Sequence, residues 1–352
     1  MQNINMARKP VEYTEYLQLD RILNSQSLES DKENLHAHDE MLFIIIHQAY
    51  ELWFKQIHFE VDSAIAIFNK ETVNDNSPEL QTIVHRTSRV VTILKLLVNQ
   101  IDILETMTPL DFHEFRDLLR PASGFQSWQF KMLEAKLGLK FEARHGQEYY
   151  LSMLKPEYVA EVKKVESQKT LLELIDEWLR RMPFFEDDGL WQNYKHTFPN
   201  NSTHHVFWND YLHIYGDTLV EGEQHNKNIF IDIFFKEPKG DHTSLSSEAM
   251  RNALFISLYR GFPLLHLPFQ LIHNLLDIDE QLATWRFRHI SMVHRMIGAR
   301  VGTGGSSGKE YLQGALSAHY IFKDFALLSS FLIDRRKLPE LSLELKKRLG
   351  FS

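Results

Sequence analysis

Apolar residues recur at steps of three and four along nearly the whole chain, and the strict alternation of a half-buried strand is almost absent. The pattern predicts an all-α fold. After Pro10, Val11 to Asn24 reads as a short amphipathic helix with Tyr13, Tyr16 and Leu17 on one face. Ser30 to Asn34 is polar and reads as a loop. Residues 36 to 68 form a long helix that is apolar almost all round from Met41, as in a helix buried on every side, and Phe43, His47, Tyr50 and Phe54 make one stripe. Leu80 to Glu105 is a second long helix. Thr108-Pro109-Leu110-Asp111 combines a capping threonine, a first-position proline and a carboxylate three residues after the cap, so a helix starts there and ends before Pro121. Phe125 to Leu137 is a helix stopped by Gly138, and Thr170 to Arg181 is another. Pro183 to Thr203 and Lys236 to Ser247 read as loops flanking a helical stretch from His204 to Phe235, with His204, His205, His213 and His225 exposed. Glu248 to Leu276 is helical and bent at Pro263 and Pro268. Tyr311 to Phe331 is helical, and the tail from Pro339 is amphipathic.

The most informative stretch runs from Trp285 to Gly308. Leu282, Trp285, His289, Met292 and Met296 share one helix face, so His289 sits inside an apolar stripe. Asp277 and Asp279 stand before it, where carboxylates suit a helix start. Arg286, Arg288, Arg295 and Arg300 lie off the stripe. Gly302 is the expected stop, and Gly302, Gly304, Gly305 and Gly308 allow close backbone approach to a ligand, with hydroxyls from Thr303, Ser306 and Ser307. His289 reads either as a core histidine or as an axial ligand to a metal macrocycle. The second role needs one imidazole, apolar walls and cations for anionic edge groups. His294 lies about 140° round the helix from His289 and is a poor joint ligand. Lys309 is followed by Glu310, so the loop is no P-loop, and a helix rather than a strand precedes it, against a dinucleotide fingerprint.

Composition narrows the classes. The chain has 352 residues, 43% hydrophobic and 24% charged, which suits a globular protein with a sizeable core. A net charge of −8 argues against nucleic acid and anionic membrane surfaces. There is no cysteine, which excludes disulfides, thiolate–haem ligation and iron–sulfur clusters, and leaves 18 histidines as soft ligands. No apolar run approaches membrane-spanning length, and the N-terminus lacks the apolar core of a signal peptide, so the expected location is cytoplasmic. His36 and His38 with Asp39 could imitate a two-histidine, one-carboxylate iron site, but cap residues of this kind are usually solvated. Phe112 and Arg116 share a helix face. That pairing is common on surfaces, and it is also what a ligand with an arene and a carboxylate requires. Ser123 with Gln126 is a capping box.

The run WRFRHISMVHRMIGARVGTGGSSG, together with FHEFRDLLRPASGFQSWQF and the helix around His47, resembles the tryptophan 2,3-dioxygenases in their longer, animal-like form. The resemblance covers almost the whole chain. It implies a multi-helix core holding haem b, with 139–250 as a helical insertion subdomain within a single domain over 1–352. It implies His289 as the axial iron ligand, Ser123 and Gly124 beside the haem, and His47 as the histidine near the substrate indole N–H. Phe43 and Phe112 would wall the ring. Arg116 would hold the substrate carboxylate and Thr303 its amino group. Bacterial members often carry tyrosine at the position of Phe112, so one hydroxyl contact is missing here. Tyr13, Tyr16 and Leu17, within residues 1–24, would close the site of a neighbouring subunit in a homotetramer. The implied reaction joins L-tryptophan and O2 to give N-formylkynurenine, the first step of tryptophan catabolism by the kynurenine pathway. A related haem enzyme that inserts one oxygen atom, a haem sensor without turnover and a non-haem metal enzyme are the alternatives.

Overall fold

The computed structural model describes residues 10–70, 73, 77–141, 144, 151–199, 204–236, 243–298, 300 and 320–350. The described residues contain helices and no strands. In chain order the α-helices are α1 Tyr13–Leu17, α2 Leu19–Leu23, α3 Glu29–Lys32, α4 Asp39–Phe68, α5 Pro78–Leu104, α6 Pro109–Phe115, α7 Trp128–Leu137, α8 Pro156–Glu166, α9 Leu171–Arg180, α10 Asp188–Trp191, α11 Val206–Thr218, α12 Asn226–Phe235, α13 Ser247–Leu258, α14 Pro263–Ile297, α15 Lys323–Leu327 and α16 Leu343–Leu349.

Three long helices organise the rest. The apolar face of α5 packs along both α4 and α14. Its start is fixed by Ser77, whose hydroxyl accepts from the Leu80 N–H, with Pro78 at the first helical position, where a missing N–H costs nothing. Polar groups lock the register on both sides. Buried Glu60 of α4 takes Arg89 at 2.7 Å and Arg86 at 3.2 Å from α5. Asn274 of α14 donates to the Val84 carbonyl at 3.0 Å and to the Thr87 hydroxyl at 2.9 Å. α6 contacts both α4 and α14, and α7 lies on α4. One apolar cluster extends from Ala37 to Leu349 and takes in Trp178, Phe207, Phe234 and Phe255, so the residues of 171–258 share it with α4, α5 and α14. A smaller one around Leu154 and Val162 packs Trp128 and Tyr158 face to face at 5.2 Å. No described helix is long and apolar enough to cross a membrane.

Several expected boundaries move, each for a visible reason. The N-terminal segment is not one helix from Val11 to Asn24. It breaks at Gln18, whose φ of 53° is left-handed and whose side-chain amide caps the Glu15 carbonyl. Ser30 to Asn34 is not all loop, because α3 covers Glu29–Lys32. Glu40 accepts from the Glu29 and Ser30 N–H groups at 2.8 and 2.9 Å and so caps the start of α3. α4 is not buried on every side: Met41, Ile45, Leu52 and Phe59 are exposed. Pro263 starts a helix rather than bending one, and Pro268 is carried inside its second turn, so α14 runs for 35 residues. At 1.5 Å per residue that is about 52 Å. Asp277 and Asp279 therefore lie within α14 and cap nothing at its start. Asp279 instead accepts from the N–H groups of Ile321 and Phe322, at 3.1 and 2.5 Å, and holds the chain entering α15; burial raises its pKa to about 6. α14 ends at Ile297, with Gly298 at φ 57°, four residues before the predicted stop at Gly302. His204, His205 and His213 are half-buried against Phe235, Phe185 with Trp191, and Phe198; His225 is exposed.

Candidate active site

The site lies where α4, α6 and α14 meet. α4 presents Phe43 and His47 one turn apart, with ring centroids 4.1 Å from each other. α6 brings Phe112 to 5.7 Å from Phe43, nearly parallel, and Phe115 closes the corner at 5.6 Å from Phe43 and 5.4 Å from Phe112. Phe115 is fully buried. Sequence reading missed it, although its place three residues after Phe112 was the signal. The capping box of Thr108 and Asp111 sets where α6 begins, and hence the direction of both phenylalanines. Arg116 follows directly, at the start of a 3-10 turn, and is only 3% exposed. A guanidinium can grip a carboxylate with two parallel N–H bonds.

His47 has a fixed tautomer. Its Nδ1 lies 2.6 Å from the Phe43 carbonyl. A carbonyl only accepts, so Nδ1 carries the hydrogen. Desolvation by the neighbouring protein holds its pKa below the usual imidazole value, against smaller opposing effects from that carbonyl and from Glu51. The ring is therefore neutral at pH 7, and Nε2 keeps its lone pair. The residue as a whole is nevertheless exposed.

Across from it, His289 is half-buried on α14. Burial, and then repulsion from a protonated His47, lower its pKa to about 4. The two histidines thus lie close enough to feel each other's charge. Nδ1 of His289 is sealed from solvent and has no hydrogen-bond partner, which leaves Nε2 as the nitrogen available to a ligand. Trp285, one turn earlier, stacks on the imidazole at 5.2 Å and 3°. Trp285 in turn meets Tyr50 of α4 and Phe130 of α7. Before α7, Ser123 caps a 3-10 turn at Gly124–Gln126: its hydroxyl accepts from the Phe125 N–H at 3.3 Å, and Gln126 accepts from the Ser123 N–H at 3.4 Å. A Cβ on Gly124 would meet no atom within 4 Å.

These features fit a haem: one unprotonated imidazole with a free nitrogen, a second histidine near enough to be charge-coupled to it, aromatic walls and a glycine beside open space. Of the arginines off the stripe, Arg286 is turned to other helices. It is buried in a salt bridge to Glu134 at 2.5 Å, and Glu134 also takes Arg144 at 2.6 Å. Arg288 pairs with Asp102 and Glu105. These two arginines tie α14 to α7 and α5. Arg295 and Arg300 are exposed. Thr303 and the glycine-rich loop lie outside the described residues. Tyr13 and Tyr16 are 71% and 74% exposed, and with Leu17 they are not brought to the site of their own chain. His36 and His38 are exposed, and no group of three or more metal-ligating side chains occurs among the described residues.

The sequence pattern described as Tryptophan 2,3-dioxygenase matches residues 2–332. The chain belongs to the tryptophan 2,3-dioxygenase family. It is 44% identical to the Tryptophan 2,3-dioxygenase of Alteromonas mediterranea, over 97% of this chain and 98% of that protein. The Bdellovibrio bacteriovorus protein of the same name is 40% identical, over 98% of this chain and 99% of its own length. The Mus musculus protein is 41% identical, over 94% and 84%. Two other histidines are enclosed by protein, His58 fully and His205 in part. Those two are accounted for by the Gln129 carbonyl and by stacking on Trp191.

Proposed function

We propose that this chain is a haem b enzyme that inserts both atoms of O2 across the indole C2–C3 bond of L-tryptophan, giving N-formylkynurenine. The observation that carries the reading, beside family membership, is the pair of charge-coupled histidines with lowered pKa, one with an unpartnered Nδ1 and the other with its hydrogen fixed on Nδ1. His289 would hold the iron through Nε2, with Ser123 and Gly124 beside the ring plane. The haem, when bound, supplies the ferrous iron at which oxygen chemistry occurs.

The rest follows from the chain's own groups. Arg116 binds the substrate carboxylate, with Thr303 proposed for the amino group. Phe43, Phe112 and Phe115 enclose the indole and exclude water. His47, with its hydrogen on Nδ1, can only accept at Nε2, and it therefore orients the indole N–H. Fixing the amino-acid end and the ring together positions C2 and C3 without a further acid–base pair. The exposed apolar residues of α4, with Leu96 and Ile103 of α5, support a homo-oligomer, proposed as a tetramer.

The product formed from L-tryptophan tests the reaction. Its mass is expected to show a gain of two oxygen atoms, both labelled when 18O2 is supplied. A gain of one atom would overturn the reading in favour of mono-oxygenation, and holoprotein without turnover would favour a sensor.

Arg116→Lys tests the carboxylate contact. Lysine keeps the charge and loses the planar two-pronged grip. Tryptophan binding should weaken by about 1–3 kcal/mol, the range for a charge-assisted bond, with haem content unchanged. Tryptamine, which lacks the carboxylate, should bind equally well to both proteins. An equal loss for tryptamine would show that Arg116 acts otherwise.

A further inference from the structure

Haem-ligating histidines are ordinarily oriented by a hydrogen bond from their second nitrogen to a carbonyl or carboxylate, which fixes the ring plane and strengthens the ligand. His289 has no such bond: its Nδ1 is sealed and unpartnered. Something else must fix the plane of the ring. Only Trp285 makes a close ring contact with His289 among the described residues, at 5.2 Å and 3° from parallel.

Trp285 is itself braced from two other helices. Phe130 of α7 packs on it at 5.1 Å, and Tyr50 of α4 meets it edge-on at 6.1 Å. The Tyr50 hydroxyl donates to the Leu97 carbonyl of α5 at 2.8 Å, which anchors the far end of that ring. Burial pushes the Tyr50 pKa up to about 12, so the hydroxyl stays a donor at any physiological pH. Phe54 backs Tyr50 at 6.2 Å and Phe130 at 5.4 Å. A chain of rings therefore runs from a backbone carbonyl of α5 to the face of His289.

We infer that Trp285 is a positioning residue: its indole face, rather than a hydrogen bond, sets the plane of the His289 imidazole. A ligand held in this way stays a neutral imidazole, because no acceptor draws the proton from Nδ1. A neutral ligand donates less electron density than one polarised toward imidazolate, and it favours the ferrous state the reaction needs. This inference rests on His289 being the iron ligand.

The test compares holoprotein carrying Trp285→Leu or Trp285→Phe with wild type. Trp285→Leu removes the ring face. It is expected to shift and broaden the ferrous iron–histidine stretching band in resonance Raman spectra. It should also speed haem transfer to apomyoglobin by about 10–100-fold, the usual effect of losing a group that orients a metal ligand. Trp285→Phe keeps a ring face and should retain the wild-type band. Should the Leu variant fail to fold, Trp285→Met fills more of the volume without a ring, and the same two measurements decide. An unchanged band and transfer rate without the ring would overturn the inference. His289→Ala, run alongside, keeps the two claims apart. If that variant retained the iron–histidine band, the ligand assignment itself would be wrong; if it lost the band while the Trp285 variants kept theirs, only the stacking role would fail.

Discussion

His289→Ala should yield folded protein that retains no haem through purification, or holds it loosely with a changed Soret band. The expected loss of activity is complete. Removing the imidazole deletes a side chain whose unpartnered Nδ1 and lowered pKa suit it to iron. The fold should survive, because α14 is held by contacts that do not involve His289: Asn274 on α5, Arg286 on Glu134, and Asp279 on the chain entering α15. Far-ultraviolet circular dichroism and reconstitution with free haem check this directly. Adding imidazole to His289→Ala should restore part of the wild-type spectrum, since the cavity left by the ring admits the free ligand. Ferric and ferrous spectra identical to wild type would move the ligand elsewhere, with His47 next in line.

The parts of this site carried by local rules were legible in the sequence. Capping at Thr108, Ser123 and Thr170 follows from groups three residues apart, and all three boxes are present. The stripes Phe43–His47–Tyr50–Phe54 and Trp285–His289–Met292–Met296 follow from helix periodicity, which side chains on a helix cannot evade. What periodicity left open was which face each neighbour covers. Residues 41 to 68 are apolar on nearly every side, and the sequence has no mark separating a face buried by its own chain from one left open, so Leu52 and Phe59 were read as buried. Asp279 shows the same limit in polar form. A carboxylate near a predicted helix boundary looks like a cap for that helix, but it caps a segment more than forty residues downstream in a long-range contact. Prolines misled in a third way. Pro263 and Pro268 look alike in the sequence, yet one starts α14 and the other is tolerated within it, because only the first few N–H groups of a helix need no partner inside it. Arg286 lies off the apolar stripe, yet it is buried. Burial against Glu134 depends on where α7 packs, which no local pattern encodes.

Deleting residues 1 to 19 should leave haem binding intact and remove tryptophan affinity and turnover. The arm is fixed at its base, beside the site. Gln26 donates to Gln48 at 2.8 Å, and Glu40 accepts from the backbone of α3, so the chain leaves α4 from a defined point one residue along from His47. Beyond that point α1 and α2 have no buried residue, and Tyr13 and Tyr16 present their rings to solvent. Five-residue helices are not stable alone in water, so a segment of this kind gains its order from a surface it docks on. Two tyrosines with Leu17 offer an apolar body and hydroxyl tips, suited to covering a pocket that binds an amino acid. Their own chain does not receive them, so we propose that they close the site of an adjoining subunit. The truncated protein should keep its Soret band, since His289 and Trp285 stand on α14, which packs chiefly on α5. Its KM for tryptophan should rise steeply and its activity fall toward zero. Mixing it with inactive full-length His289→Ala protein should restore part of the activity, because each intact arm would then cover a truncated neighbour's pocket. Wild-type turnover by the truncated protein alone would rule out the exchange.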